Sequence, residues 1–121
     1  MKHEESKLQR EVVKYLRLEL RLCKGLIFAV PNGGKRSKIE ARIQVSEGTL
    51  HGVSDLIILL PNARTVFVEM KTEKGKQSDY QEEFEESVSN LGFEYVIWRS
   101  IDDAIKWVQS ARAKGWFKSG N

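Results

Sequence analysis

Charged residues interrupt an apolar strand near the middle of the sequence. In the run VFVEMK, residues 66–71, side chains alternate between two faces, so Phe67, Glu69 and Lys71 point the same way. A glutamate and a lysine two residues apart on one face form either a local ion pair or part of a catalytic site. On these residues alone, both interpretations are open.

A second apolar run, residues 55–60, precedes this strand and begins with an aspartate. The turn residues between the two runs predict an antiparallel hairpin. With a three-residue loop at 61–63, Asp55 lies directly opposite Glu69, whereas a four-residue loop would place it opposite Met70, on the wrong face. The catalytic interpretation therefore predicts the three-residue loop or a bulge near the turn.

Two carboxylates held this close repel each other unless a cation lies between them. Their hard oxygens suit Mg²⁺ or Mn²⁺, which keep several waters and accept phosphate oxygens as further ligands. Such an ion lowers the pKa of a bound water and neutralises the charge that grows on a phosphodiester, while Lys71 would orient or deprotonate that water. The alternative is that Asp55 caps the start of a strand and that Glu69 and Lys71 form a surface ion pair.

The periodicity of apolar residues and the turn residues between them predict the elements that position these groups. They are a helix over about 4–22, a strand over 26–30, a short helix over 37–45, strands over 55–60 and 66–71, a helix over 79–91, a strand over 93–98 and a last helix from 101 to before Gly115. Apart from the short helix, the order is αβββαβα, which indicates an α/β fold. Trp107 is expected in the core, whereas an exposed Trp116–Phe117 pair near the polar end would suit a partner interface.

Composition limits the class of protein. The 121 residues suffice for one domain, spanning 1–121, with a net charge of +3 that permits nucleic-acid binding without demonstrating it. Cys23 is the only cysteine, which excludes a disulfide framework and a cysteine zinc site. No apolar run reaches about 18 residues, and the first ten residues lack the apolar core of a signal peptide. We therefore expect a soluble, intracellular protein.

Five stretches, in this order and at this spacing, resemble the virus-type replication-repair nuclease (VRR-NUC) branch of the PD-(D/E)XK nuclease superfamily. They are Glu5-x-x-Leu8-Gln9, Asn32-Gly33-Gly34-Lys35-Arg36, Gly52-Val53-Ser54-Asp55-Leu56-Ile57, Val68-Glu69-Met70-Lys71-Thr72 and Gly75-Lys76-Gln77-Ser78-x-x-Gln81. The resemblance covers nearly the whole chain and implies a restriction-endonuclease-like core, with a mixed central sheet flanked by helices. The chain departs from the family at Ser54, where proline is common. Because that proline fixes backbone geometry and is not a ligand, its absence casts little doubt on activity.

The resemblance also assigns the site residues. It implies a site for Mg²⁺ or Mn²⁺ with the ligands Glu5, Asp55, Glu69 and the carbonyl of Met70, and a catalytic set of Asp55, Glu69, Lys71 and Gln81. Glu4 and Glu11 compete with Glu5 for the place on the helix, although Glu5 shares a face with the apolar residues of that helix. Glu5 could instead be a first-turn residue favoured by the helix dipole. Gln81 could also be the capping-box partner of Ser78, and both roles can hold together.

A glycine-rich, basic loop is the expected contact with DNA phosphates, because glycines let backbone N–H groups approach an anion. The predicted DNA-binding residues are Asn32, Lys35, Arg36, Lys38, Arg42, Lys74 and Lys76. The alternative is a solvated loop with no ligand. Contacts of this kind position DNA without reading its sequence.

The resemblance implies a metal-dependent endonuclease that hydrolyses DNA. It also implies a structure-selective, Holliday junction resolvase-like enzyme that works as a homodimer on branched DNA in phage or prophage replication or repair. The alternative is a non-catalytic DNA-binding module that kept the nuclease fold. A third hypothesis is a small interaction protein in which the Glu69–Lys71 pair is structural.

Overall fold

The computed structural model describes residues 3–31 and 37–118. Its helices are α1 (His3–Glu19), α2 (Lys38–Ser46), α3 (Asp79–Asn90) and α4 (Ile101–Ala113). Its strands are β1 (Leu26–Ala29), β2 (Leu56–Leu60), β3 (Arg64–Met70) and β4 (Glu94–Trp98). The predicted elements are all present, with bounds that shift by up to three residues.

One mixed sheet in the order β1-β2-β3-β4 connects the elements. Strand β2 is antiparallel to both β1 and β3, and β4 runs parallel to β3. Leu60 pairs with Arg64 across the hairpin, which confirms the three-residue loop predicted at 61–63. The predicted α/β fold with a mixed sheet flanked by helices is confirmed as well.

The two faces of the sheet are covered by different helices. Helices α1 and α4 bury one face around a shared core, whose fully buried members are Val12, Leu16, Leu56, Ile58, Val66, Val68, Met70, Ala104 and Val108. On the opposite face, Phe84 of α3 meets Phe67 edge to face, with ring centroids 5.3 Å apart. Each buried aliphatic side chain contributes about 1.5–3 kcal/mol relative to exposure, so the α1–α4 face supplies most of the stability. The face under α3 carries the charged end of the hairpin.

Two peripheral regions differ in how they join this core. Helix α2 begins with a capping box between Ser37 and Glu40 but contains no buried residue. Trp116 and Phe117 both contact the Trp107 ring, and Phe117 is only 5% exposed. The expectation of an exposed aromatic pair is therefore wrong, because the turn after α4 folds these rings back onto the core. None of the helices in the described ranges is long and apolar enough to cross a membrane.

Candidate active site

The open end of the β2–β3 hairpin brings the predicted charged residues together. The Leu56–Val68 pair is the last of the β2–β3 ladder, so the next position sets Asp55 opposite Glu69. Both side chains are buried, with 8% of Asp55 and 1% of Glu69 exposed. Two acidic side chains are thus held beside each other away from water.

Backbone hydrogen bonds fix Asp55. Its Oδ2 accepts a hydrogen bond from the Met70 backbone N–H at 2.8 Å, and its carbonyl oxygen accepts one from the Val30 N–H at 2.9 Å. Asp55 therefore does cap the start of its strand, as the non-catalytic interpretation of the sequence predicted. Because the same bond aims the carboxylate at Glu69, capping and a role in the site are compatible.

Glu69 is the least exposed acidic side chain among the described residues. Its Oε2 accepts a hydrogen bond from Gln81 Nε2 at 2.8 Å and lies 3.4 Å from Lys71 Nζ, whereas its Oε1 is buried with no hydrogen-bond partner among the described residues. Burial, and next the charge of Asp55, raise the pKa of Glu69 to about 8. The Glu69–Lys71 ion pair exists, but it is buried and not on the surface. An unpartnered buried oxygen beside a second carboxylate is a place where a cation would relieve both repulsion and desolvation.

Gln81 connects this pair to helix α3. Its Oε1 accepts hydrogen bonds from Lys71 Nζ at 2.9 Å and from the Ser78 backbone N–H at 2.8 Å, while its Nε2 donates to Glu69. The Ser78 hydroxyl in turn accepts a hydrogen bond from the Gln81 backbone N–H, which completes a capping box. The two roles considered for Gln81 are therefore both present in one side chain.

Gly52 determines how closely the start of α3 approaches the hairpin. Its φ is +85°, and a Cβ at this position would overlap the Tyr80 carbonyl group and lie 2.8 Å from the Gln81 nitrogen. Only glycine allows this approach and this backbone conformation at once. The contact is what lets Gln81 reach Glu69 and Lys71.

A cavity of about 340 Å³ opens above these groups. Its walls include the four predicted catalytic residues Asp55, Glu69, Lys71 and Gln81, and two residues of α1, Glu5 and Gln9. Glu5 thus faces the site, whereas Glu4 and Glu11 are exposed. Gln9 has a buried Oε1 without a partner among the described residues, and the prediction did not assign it a role. Its position four residues after Glu5, on the same helical face, is the signal that could have identified it.

The donor set fits a hard divalent cation. Asp55, Glu69 and the Met70 backbone come together, and Glu5 lines the same cavity. Within the described residues no three acidic, histidine or cysteine side chains already converge on one point. The residues that would hold an ion are therefore two preplaced carboxylates and a carbonyl, with Glu5 at the cavity wall.

Four of the predicted DNA-binding residues are in the described ranges, and none of them lines the cavity. Lys38 and Arg42 are exposed on α2, and Lys74 and Lys76 are exposed in the segment after β3. The remaining three, Asn32, Lys35 and Arg36, lie outside the described residues. These four basic side chains are therefore available at the surface.

Arg99 has a structural role that no pattern in the sequence indicates. Its Nη1 donates to the carbonyl oxygens of Thr72 at 2.8 Å, Gly75 at 2.6 Å and Glu73 at 3.3 Å. The guanidinium thereby closes the loop that follows Lys71. Because β4 pairs in parallel with β3, Arg99 emerges beside this loop, and only the tertiary pairing reveals it.

Known proteins share the fold of this chain. A family model described as the VRR-NUC domain matches residues 1–102. A solved structure described as a VRR_NUC domain protein superposes with a TM-score of 0.70 at 22% identity, covering 100% of this chain and 93% of that chain. Another, described as a VRR_NUC domain, gives a TM-score of 0.60 at 20% identity, covering 87% of this chain and 94% of that chain. No curated protein matches the chain.

The two solved structures establish the fold, and the family model establishes the kinship that the motifs indicated. The match extends from the first helix through both strands of the hairpin to the start of α4. The chain therefore belongs to the VRR-NUC family and is a nuclease-type domain of DNA processing.

Proposed function

We propose that the chain is a Mg²⁺- or Mn²⁺-dependent endonuclease that hydrolyses phosphodiester bonds in DNA. The observation that carries this proposal is the buried pair Asp55 and Glu69, in which one Glu69 oxygen has no partner among the described residues. A protein keeps so costly an arrangement where an ion binds, since the ion offsets the repulsion between the two charges.

Each residue of the candidate active site has its own proposed role. Asp55, Glu69 and the Met70 carbonyl would hold the ion, with Glu5 as the further acidic ligand. When bound, the ion would activate a water and neutralise charge on the scissile phosphate. The Nζ of Lys71 is held by Gln81 and Glu69 and has three protons, so one donor is left for the attacking water or a phosphate oxygen. The water oxygen would bond to phosphorus while the bond to the leaving sugar oxygen breaks. The proton that the attacking water loses would pass to bulk solvent, and the leaving sugar oxygen would take up a proton from a solvent water.

The finer parts of the proposal concern the substrate. Phosphate contacts are proposed for Asn32, Lys35, Arg36, Lys38, Arg42, Lys74 and Lys76. We propose branched DNA, selected by its shape and its capacity to bend, as the preferred substrate. A homodimer would supply the two active sites that cutting both strands of a junction needs. The proposed setting is the cytoplasm of a bacterium or a phage-infected cell, in replication or repair.

Cleavage of a labelled four-way junction tests the proposal. Linear duplex, flap and single-stranded DNA are the comparison substrates, each with Mg²⁺, Mn²⁺ or EDTA. Wild type should nick the junction only with metal, and Asp55→Asn should abolish cleavage. Asp102→Asn is the matched control, because this aspartate is exposed on α4, and its activity should equal that of wild type. Binding without cleavage in either metal would overturn the nuclease proposal.

One observation favours the second candidate, a DNA-binding module without catalysis. Among the described residues, two carboxylates lie close together, and no third acidic, histidine or cysteine side chain lies close enough to complete a metal site with them. If metal binding fails even at the pair, Gln81 and Lys71 simply neutralise Glu69 within a structural network. Isothermal titration with Mn²⁺ separates the two candidates. The nuclease should bind Mn²⁺, and Asp55→Asn should abolish that binding, whereas the module should bind no Mn²⁺ at this site.

A further inference from the structure

A row of positive charges lies on the outer face of α1. Arg10, Lys14 and Arg17 are exposed and line a surface groove of about 530 Å³. Their spacing of four and three residues places them on one side of the helix. The prediction from the sequence did not include these three residues among the DNA contacts.

The positive charges of this groove have no acidic partner among the described residues. Within the described ranges, the side chains of Lys14 and Arg17 form neither an ion pair nor a hydrogen bond, and the Arg10 side chain donates only to the neutral Ser6 hydroxyl at 2.9 Å. Elsewhere on α1, Glu19 pairs with Arg112 of α4 at 2.7 Å. The helix therefore pairs its charge where it packs and leaves it unpaired on the outer face. Such an exposed stripe attracts an external polyanion.

Gln9 connects the groove to the candidate active site. It lines both the groove and the cavity that contains Asp55 and Glu69, so the two depressions share a wall. A substrate whose scissile phosphate enters the cavity would reach the groove with its next phosphates. The seven helical steps from Arg10 to Arg17 span roughly 10 Å, which corresponds to about three nucleotides of a DNA strand.

We propose that this groove binds the phosphate backbone of the DNA that continues from the scissile bond, with Lys14 and Arg17 as the main contacts. The inference rests on the proposed function for the identity of its ligand. Its contacts are to phosphate, so the groove adds affinity and direction to the bound strand and does not read its sequence.

A matched pair of double variants tests the groove. Lys14→Gln with Arg17→Gln removes two charges from it, and Lys106→Gln with Lys118→Gln removes two exposed charges from the other end of the chain. Binding to fluorescent duplex and junction DNA is measured by anisotropy in EDTA, from 0.05 to 0.2 M salt. The groove variant should bind roughly 10- to 30-fold more weakly at about 0.15 M salt, and its log–log salt slope should fall by about 2. The control variant should stay within about twofold of wild type.

If both variants lost DNA affinity equally, the effect would come from net charge alone. If neither variant lost DNA affinity, the groove would bind another ligand, such as an acidic protein. Either result overturns the inference. Single-turnover cleavage with Mg²⁺ at saturating enzyme separates it from the proposed function, because the groove variant should retain the wild-type rate there. If wild type cleaves nothing while the difference in binding persists, the nuclease proposal fails and the groove stands. Thermal unfolding of both variants checks that each one folds.

Discussion

The open end of the hairpin and the outer face of α1 both concentrate charge, but they hold it in opposite ways. At the hairpin, Asp55 and Glu69 are buried, bonded to neighbours and forced together. On α1, Lys14 and Arg17 are exposed and unpaired among the described residues. Buried charges interact strongly because little water or salt screens them, whereas exposed charges are screened and act weakly on one another but can contact an external ligand directly. The first region should therefore control the rate of reaction and the second the affinity for DNA.

The largest effect should come from Asp55. Asp55→Asn keeps the size of the side chain but removes one of two carboxylates, so cleavage should fall by at least about 1,000-fold. Binding to DNA in EDTA should stay within about threefold of wild type, since the substitution adds no negative charge. Parallel cleavage and anisotropy measurements check both expectations. A large loss of affinity with an unchanged rate would break the division between the two regions.

Gln81 should show a smaller effect on the rate, because it acts on its neighbours. Gln81→Ala removes the donor to Glu69 and the acceptor for Lys71, so cleavage should fall by about 10- to 100-fold. It also removes half of the capping box, which should lower the free energy of unfolding by about 1 kcal/mol. Ser78→Ala is the matched control, because it loses a cap contact of similar strength and leaves the site bonds in place. If Ser78→Ala slowed cleavage equally, Gln81 would act only through the stability of α3.

The raised pKa of Glu69 predicts a stability that depends on pH and metal. Since its folded-state pKa of about 8 lies above its ordinary value of 4.5, the folded chain holds a proton that the unfolded chain releases between these values. Without metal, stability should therefore fall as pH rises through this window. For a domain of this size, a decrease of about 2 kcal/mol in the free energy of unfolding would lower the Tm by roughly 10 °C.

Thermal unfolding at pH 5.5 and pH 8, in EDTA and in Mg²⁺, measures this dependence. Mg²⁺ should raise the Tm at pH 8 more than at pH 5.5, because only the ionised pair attracts the ion. Glu69→Gln is the control, and its Tm should change far less with pH and with metal. An identical profile for wild type and this variant would contradict the assignment of the pH effect to Glu69.

Arg99 should give the smallest effect on the rate. Arg99→Gln cannot bridge three carbonyl groups, so the loop after Lys71 should loosen and cleavage should fall by about three- to tenfold. Amide hydrogen exchange of residues 72–75 should become faster. Arg64→Gln is the control at the opposite end of the hairpin, where Arg64 lies over the Trp116 ring at 4.0 Å. Faster exchange of the loop in both variants would show a general destabilisation instead of a local clamp.

Much of the site was predictable because local rules determine it. The alternation of β3 places Glu69 and Lys71 on one side, and a three-residue loop determines the register that sets Asp55 opposite Glu69. These inferences needed only neighbours in sequence and the geometry of one hairpin. The fold class followed in the same way from the order of periodic segments.

The residues that were missed depend on pairings that the sequence does not state. Arg99 reaches its loop only because β4 lies parallel to β3. Gln9 belongs to one of the matched stretches and shares a helical face with Glu5, but that this face lines the cavity depends on how α1 crosses the sheet. Trp116 was expected to be exposed because its sequence neighbours are polar, yet its ring contacts Trp107 after the chain turns back. Periodicity identifies a helical face but does not tell which neighbour covers it.

Gly52 has a consequence for how this protein tolerates change. It carries no functional group, yet any side chain there would push the start of α3 away and take Gln81 out of reach of its partners. In a library of all single substitutions, this position should behave like an active-site residue, with every replacement inactive. An engineer who ranks positions by their chemistry alone would therefore randomise a position where a single hydrogen atom is the only side chain that fits.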